Sequence, residues 1–339
     1  MQQEDHTSNT SRQITAPLLQ LRDLRIHFRS RVGLFRSKIY RAVDGVNLSL
    51  HRGEVVALVG ESGSGKTSVG RASLGLIAPV SGSVIFDGID ITLLPEKRLQ
   101  WFRKRAQAIF QDPFSSINPY MNVGQLVEEP LVIHRIGSRS ERQDRVTHFL
   151  EDVKLTPTAD FLKRYPHELS GGQRQRVGIA RALVMEPDYI VADEPISMID
   201  ASSRSEFLYL LRSLRDERGI CFLYITHDIA SARHFADKIA VMYLGSIVEI
   251  ATPEKLINQP EHPYTQSLIN AVPEPDPNNR FHYRAVIAGE APTSSQIPQG
   301  CPFHPRCSAF MEGICEVDKP YLYSIQENHE VACYLPMRS

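Results

Sequence analysis

Apolar residues fall into short runs set between longer mixed segments. Val55–Val59, Tyr189–Ala192, Cys221–Thr226 and Ile239–Tyr243 are strand-sized, and helix-like stretches lie between them. From Leu18 to about Ile250 this alternation predicts an α/β fold with a largely parallel sheet. Val69, Ala72, Ser73 and Leu76 recur at i, i+3, i+4 and i+7, which predicts a helix after the first of these strands. Val177, Ala180 and Val184 give a second packing stripe at helical spacing. Between Asp112 and Glu168 strand-like runs vanish and charged helical sequence such as Ser140–Val153 dominates. A helical subdomain over about 112–180 is therefore expected as an insertion in the α/β core.

Beyond Asn258 prolines become dense (Pro260, Pro263, Pro273, Pro275, Pro277, Pro292, Pro298, Pro302, Pro305). That density predicts a loop-rich appendage over 259–339. Residues 1–17 are polar and read as a disordered tail, which leaves 18–258 as the main domain. No apolar stretch approaches the roughly 18 residues a spanning helix needs, and the polar start carries no secretory signal. A cytoplasmic chain is expected. The 339 residues allow one large domain or two, and 42% apolar with 23% charged residues excludes a disordered or fibrous chain. A net charge of −1 disfavours a generic nucleic-acid binder.

Three segments carry chemistry. Gly60-Glu61-Ser62-Gly63-Ser64-Gly65-Lys66-Thr67 fits G-x-x-x-x-G-K-[ST] between a predicted strand and a predicted helix. Its glycines let backbone N–H groups wrap a phosphate, Lys66 would reach the β- and γ-phosphates, and the Thr67 hydroxyl would ligate Mg²⁺. A glycine-serine turn without a ligand is the plain alternative. The strand Tyr189–Ala192 ends in Asp193 and Glu194. Ligands of parallel sheets sit beyond strand C-termini, so Asp193 suits Mg²⁺ and Glu194 an attacking water. An ordinary strand end is the competing reading. Ser170 stands where a helix N-cap belongs, and Gly171, Gly172 and Gln173 open a helix whose bare N–H groups form a second anion site. An ordinary capped helix fits that segment equally well.

Leu169-Ser-Gly-Gly-Gln173, joined to the phosphate loop and the Asp-Glu strand, resembles the ATP-binding subunit of ABC transporters. The resemblance implies a P-loop NTPase of ABC type with an inserted helical signature subdomain. Gln111 matches the glutamine loop, which shares the Mg²⁺ and couples to the membrane partner. Asp200 closes Ser197-Met-Ile-Asp200, His227 matches the switch histidine, and Phe28, with Tyr40 as the other candidate, matches the adenine-stacking aromatic. It further implies ATP clamped between two subunits, with Ser170 and Gly172 of one facing Lys66 and Mg²⁺ of the other, Glu194 orienting water and His227 contacting the γ-phosphate.

Gln111-Asp-Pro-Phe-Ser-Ser-Ile-Asn-Pro119, Tyr165-Pro-His-Glu-Leu169, Pro260-Glu-His-Pro-Tyr-Thr265, Gly289-Glu-Ala-Pro292 and Gly300-Cys-Pro-Phe-His-Pro-Arg-Cys307 are similar to dipeptide/oligopeptide importers. The segment Gly33–Phe35 with Ala42-Val-Asp-Gly45 leans toward the second ATPase of the usual pair. Expected partners are a sister ATPase, two permease subunits and an extracytoplasmic binding protein, on the cytoplasmic face of the inner membrane. Nickel or glutathione uptake by the same machinery, or a soluble ABC ATPase acting on ribosomes or DNA, are the alternatives. A single phosphate loop, the lack of a heptad run between Lys66 and Ser170, and the near-neutral charge weigh against the last.

Cys221 reads as a small buried hydrophobe. Cys301, Cys307, Cys315 and Cys333 lack the close C-x2–4-C pairs typical of zinc. Four thiolates suit a [4Fe–4S] cluster by count, and the family resemblance points the same way. Four metal-free thiols is the alternative. His304 and His329 read as surface residues.

Overall fold

A computed structural model describes residues 16–32, 36–111, 118–197, 199–271, 292 and 295–337. Residues 1–15 of the expected tail, Gly33–Phe35, most of the segment after Gln111 (112–117), Met198 and 289–291 lie outside the described residues.

The chain opens with two long strands, β1 (Leu19–Val32) and β2 (Arg36–Leu50), and then enters the first core strand, β3 (Val55–Val59). Helix α1 (Lys66–Ser73) follows, then β4 (Ser81–Phe86), β5 (Ile89–Asp90), α2 (Gln100–Arg105) and β6 (Ala106–Ile109). Four helices come next: α3 (Val123–Ile133), α4 (Arg139–Asp152), α5 (Thr158–Leu162) and α6 (Gly171–Leu183). The core resumes with β7 (Tyr189–Asp193), α7 (Ala201–Arg218), β8 (Cys221–Thr226), α8 (Ile229–Phe235), β9 (Lys238–Tyr243) and β10 (Ser246–Ala251). Helices α9 (Pro253–Asn258) and α10 (Pro263–Asn270) and the hairpin β11 (Tyr323–Gln326) and β12 (His329–Val331) complete it.

Eight strands form the central sheet in the order β11-β12-β10-β9-β3-β8-β7-β6. Strands β9, β3, β8, β7 and β6 run parallel, as the alternation of runs and helices predicts. Strand β3 is buried on both faces. Val55, Ala57 and Val59 enter a core shared with the helices, whereas Val56 and Leu58 enter a second core under β1, β2 and β4. Two covered faces explain why its sequence is a continuous apolar run rather than an alternation. The second sheet, β2-β1-β4-β5, is antiparallel. Its strands mix buried apolar residues with exposed basic side chains such as Arg22, Arg29 and Arg41, so composition alone gives it little outline.

Helix α1 is shorter than its apolar spacing suggests. Val69, Ala72 and Ser73 are buried, but the helix stops at Ser73 and Leu76 is 52% exposed, so the last position of the stripe is solvent-facing. Helices α3, α4 and α6 each begin with a reciprocal capping box, Asn122/Gln125, Ser138/Glu141 and Ser170/Gln173. They pack through Leu126, Val127, Phe149, Leu150, Val177 and Ala180, all buried.

The C-terminal residues are woven into this core. Strand β12 pairs antiparallel with β10, so the last hairpin extends the central sheet. Beneath it the fully buried Glu249 carboxylate accepts from the backbone N–H of Glu261 (2.9 Å) and of His262 (3.0 Å) and contacts His329 Nε2 at 2.8 Å. His329 is completely buried, which corrects its reading as a surface residue. A buried carboxylate demands polar partners, and an imidazole distant in sequence supplies one.

His262 caps α10. Its Nδ1 accepts from the Tyr264 N–H (3.0 Å), so the ring proton sits on Nε2. Burial pushes its pKa down to about 3. In the unfolded chain the ring titrates near its ordinary value of about 6.5. As pH falls from about 6.5 toward about 3 the unfolded chain takes up the proton first, and stability drops by an amount on the order of a few kcal/mol. His262→Asn keeps an acceptor for the cap. It should flatten the acid limb of the urea midpoint against pH, and an unchanged limb would assign acid sensitivity to other groups.

Candidate functional site

The phosphate loop links the end of β3 to α1, and close packing dictates its glycines. A Cβ on Gly60 would lie 2.1 Å from the Met242 carbonyl oxygen, and one on Gly65 would lie 2.0 Å from that of Ala42. Gly65 also has a φ of 106°, which L side chains rarely adopt. Lys66 is 6% exposed, and its Nζ donates to the carbonyls of Gly60 and Glu61, both at 2.8 Å. Burial lowers the pKa of this amine, while Glu194, Asp193 and Glu61 pull in the opposite direction. The two-residue turn Leu244-Gly245, with φ of 42° and 86°, braces the loop from the β9–β10 hairpin. Gly245 N–H donates to the Ser64 carbonyl (2.9 Å).

Parallel register brings the acidic pair to the loop. Asp193 stands opposite Ile225 of β8. The Thr67 hydroxyl donates to Asp193 Oδ1 at 3.2 Å. Burial, then the neighbouring Glu194 charge, raises the Asp193 pKa, with the Thr67 hydrogen bond working against them. A half-buried carboxylate beside a hydroxyl is a hard oxygen donor set, and it fits Mg²⁺.

Glu194 follows with φ 47°, in the left-handed region, and its N–H donates to the Ile225 carbonyl (2.9 Å). A non-glycine residue held there pays a conformational cost that its surroundings must offset. The bend carries its carboxylate between two neighbours. Gln111 Nε2 donates to Oε2 at 3.2 Å, and His227 Nδ1 contacts Oε1 at 3.1 Å. The sheet explains the meeting: Ile109 of β6 pairs with Ala192, and β8 ends at Thr226, one residue before His227. Lys66, Thr67, Gln111, Asp193, Glu194 and His227 thus converge at one end of the parallel strands.

The remaining candidates lie elsewhere. Ser170 and Gly171 are exposed at the start of α6. Gln175 of that helix is buried and donates to the Phe110 carbonyl (3.4 Å), next to Gln111. Asp200 precedes α7 and accepts from the Ser203 hydroxyl (3.2 Å). Phe28 and Tyr40 are directly opposite each other across β1 and β2, so the two candidate aromatics share one face of the ribbon. Phe28 is 43% exposed.

Cys301, Cys307, Cys315 and Cys333 line one small cavity with Phe303 and Met311. Three of the thiols accept backbone hydrogen bonds: Cys301 from Phe303, Cys307 from Ala309, and Cys333 from Leu335 and Tyr334. Burial pushes Cys301 and Cys333 up to about 11. Among the described residues no group of three or more His, Cys, Asp or Glu is arranged to hold a metal ion. Cys221 is fully buried in β8.

Sequence reasoning missed the contacts of the C-terminal region with the phosphate loop. Tyr264 and Arg306 both reach Glu61, from positions 203 and 245 residues away. The His-Pro-Tyr segment marked Tyr264 as notable without indicating what it touches.

The ABC transporter family matches residues 43–197, and the oligopeptide/dipeptide transporter C-terminal region matches 248–315. The oligopeptide transport ATP-binding protein AppF of Bacillus subtilis is 41% identical over 322 residues, covering 94% of this chain and 97% of that protein. A Brucella ovis protein, provisionally named for peptide import ATP binding, is 44% identical over 317 residues, or 94% of this chain and 97% of its own. Among solved structures, the dimeric bacterial ABC transporter cassette MJ0796 aligns with TM-score 0.62 and 31% identity, over 69% of this chain and 98% of the cassette. The same cassette bound to ADP and Pi, in a post-hydrolysis state, aligns with TM-score 0.62 and 30% identity, over 69% and 98%. The chain belongs to the ATP-hydrolysing, ATP-binding proteins of ABC transporters, in the branch that carries the oligopeptide/dipeptide C-terminal region.

Proposed function

We propose that this chain energises uptake of dipeptides or oligopeptides as one of two ATPase subunits in a membrane importer. The bracketing of Glu194 by Gln111 and His227, one residue from the Asp193–Thr67 pair, carries the reading. Lys66 and the loop amides from Gly60 to Gly65 grip the β- and γ-phosphates. Thr67, Asp193 and Gln111 hold Mg²⁺, which when bound neutralises charge on the phosphate oxygens. Glu194 orients the water for in-line attack, and His227 contacts the γ-phosphate. Phe28 or Tyr40 stacks on adenine. Ser170, Gly171, Gly172 and Gln173 of a facing subunit, together with Asp200, complete the site. The exposure of the α6 start and the dimeric state of the MJ0796 cassette support that composite arrangement.

The assembly has a sister ATPase, two permeases and an extracytoplasmic binding protein, with this chain peripheral on the cytoplasmic face of the inner membrane. Peptide-transport names among relatives support the solute class, and among the described residues no helix is long and apolar enough to cross a membrane. Purification of the tagged chain from detergent-solubilised membranes should recover both permeases and the sister ATPase. Its hydrolysis should rise when the binding protein is loaded with peptide. Recovery of the chain alone, or stimulation by nickel or glutathione but not peptide, would refute the assignment.

The four C-terminal cysteines hold a [4Fe–4S] cluster. The four cysteines lining one cavity support this, and four thiolates are the ligand count such a cluster takes. Anaerobically purified protein should be brown and contain iron and acid-labile sulfide in equal amounts. Colourless, iron-free protein would sink the cluster.

A further inference from the structure

Glu61 is restrained at each of its polar positions. Its N–H donates to the Tyr264 hydroxyl at 3.0 Å. Its carbonyl accepts from Lys66 Nζ (2.8 Å) and from the Ser64 N–H (3.2 Å). Its carboxylate meets Arg306 Nη1 at 3.4 Å, and the same nitrogen donates to the Tyr243 hydroxyl at 3.3 Å. The Glu61 N–H belongs to the same peptide plane as the Gly60 carbonyl. In a trans peptide those two groups point in opposite directions. Tyr264 therefore holds one side of a plane whose other side receives Lys66 Nζ, again at 2.8 Å.

Both anchors are packed into the fold. Tyr264 is fully buried on α10, with its ring 4.6 Å from Tyr243 and 5.4 Å from Phe303. The Arg306 side chain is 9% exposed. Gly60, which lacks a side chain to restrict it, cannot hold that peptide plane by itself.

We propose that Tyr264 and Arg306 are positioning residues for ATP: acting through Glu61, they fix the phosphate loop and Lys66 in the geometry that receives the β- and γ-phosphates. The proposal rests on the assignment of Lys66 to those phosphates. A loop that grips ground state and transition state alike contributes uniform binding, so its loosening appears in KM and Kd rather than in kcat.

The test uses the full-length chain with Mg·ATP, by equilibrium titration and steady-state hydrolysis. Tyr264→Phe should raise Kd and KM for ATP about fivefold, with kcat changed by no more than about twofold and a melting curve without nucleotide lowered by only a few degrees. Arg306→Met should weaken ATP about as much as Glu61→Gln, and the double variant should be no worse than either. Arg306→Lys should recover most of the affinity. Wild-type ATP affinity in Tyr264→Phe, or strictly additive losses for Arg306→Met and Glu61→Gln, would overturn the proposal. If Tyr264→Phe does not fold, the Arg306 and Glu61 cycle decides alone. Lys66→Ala separates the two levels: undiminished ATP affinity there removes the underlying assignment, whereas lost affinity beside an unaffected Tyr264→Phe removes only the positioning role.

Discussion

Glu194→Gln should bind ATP nearly as well as the parent chain and release phosphate roughly 10²–10⁴-fold more slowly. The amide is close to the carboxylate in shape, so it can keep its place between Gln111 and His227. The left-handed backbone at this position costs Gln about what it costs Glu. What disappears is the negative charge that, in the proposed role, aligns a water and draws its proton as the γ-phosphate leaves. With cleavage blocked and binding intact, ATP-bound pairs of subunits should accumulate, visible as a shift in size on gel filtration with Mg·ATP. Single-turnover hydrolysis with labelled ATP checks the rate. Parent-like turnover would remove Glu194 from the chemistry and leave the polarising role to His227 or the metal ligands.

Lys66→Ala should weaken ATP binding by about 10–150-fold, the range expected for a hydrogen bond to a charged group, and slow ATP-driven uptake wherever ATP is below the weakened Kd. The Lys66 amine is buried and already held by its own loop carbonyls, so it needs little reorganisation to meet a phosphate. Burial also makes its charge more effective, because little water screens it. Calorimetric titration of the purified chain and transport by the assembled complex provide the two measurements. Undiminished uptake at such ATP levels would contradict the phosphate-loop assignment outright.

The strands that position this site were legible because they are buried on both faces. Val55–Val59 and Cys221–Ile225 carry apolar residues at every position, and the ends of both runs in the sequence, the second closing at Thr226, coincide with the strand ends in the structure. Capping chemistry is equally local, so Ser170 is recognisable as an N-cap from its neighbours. Helix α1 was overextended because Leu76 continues the spacing after the chain has turned at Gly75, whose φ is 64°. The backbone conformation of Glu194 leaves no trace in composition, since glutamate is no signal for a left-handed residue. His329 reads as a surface residue in sequence for a different reason. Its partner Glu249 lies 80 residues earlier, and only the pairing of β12 with β10 makes that distance short. The same holds for Glu61 with Tyr264 and Arg306: each lies in a segment that stands out in sequence, but their contact exists only once the chain has folded.

Because β12 zips onto β10, a chain cut after Asn258 would present the flank of β10 as a bare row of amides and carbonyls. It would also remove the imidazole and both backbone N–H groups that meet the Glu249 carboxylate. An uncovered edge of that kind recruits other chains into intermolecular sheets. Trimming the protein to residues 1–258 should therefore yield aggregates, with the terminal hairpin acting as a splint for that edge.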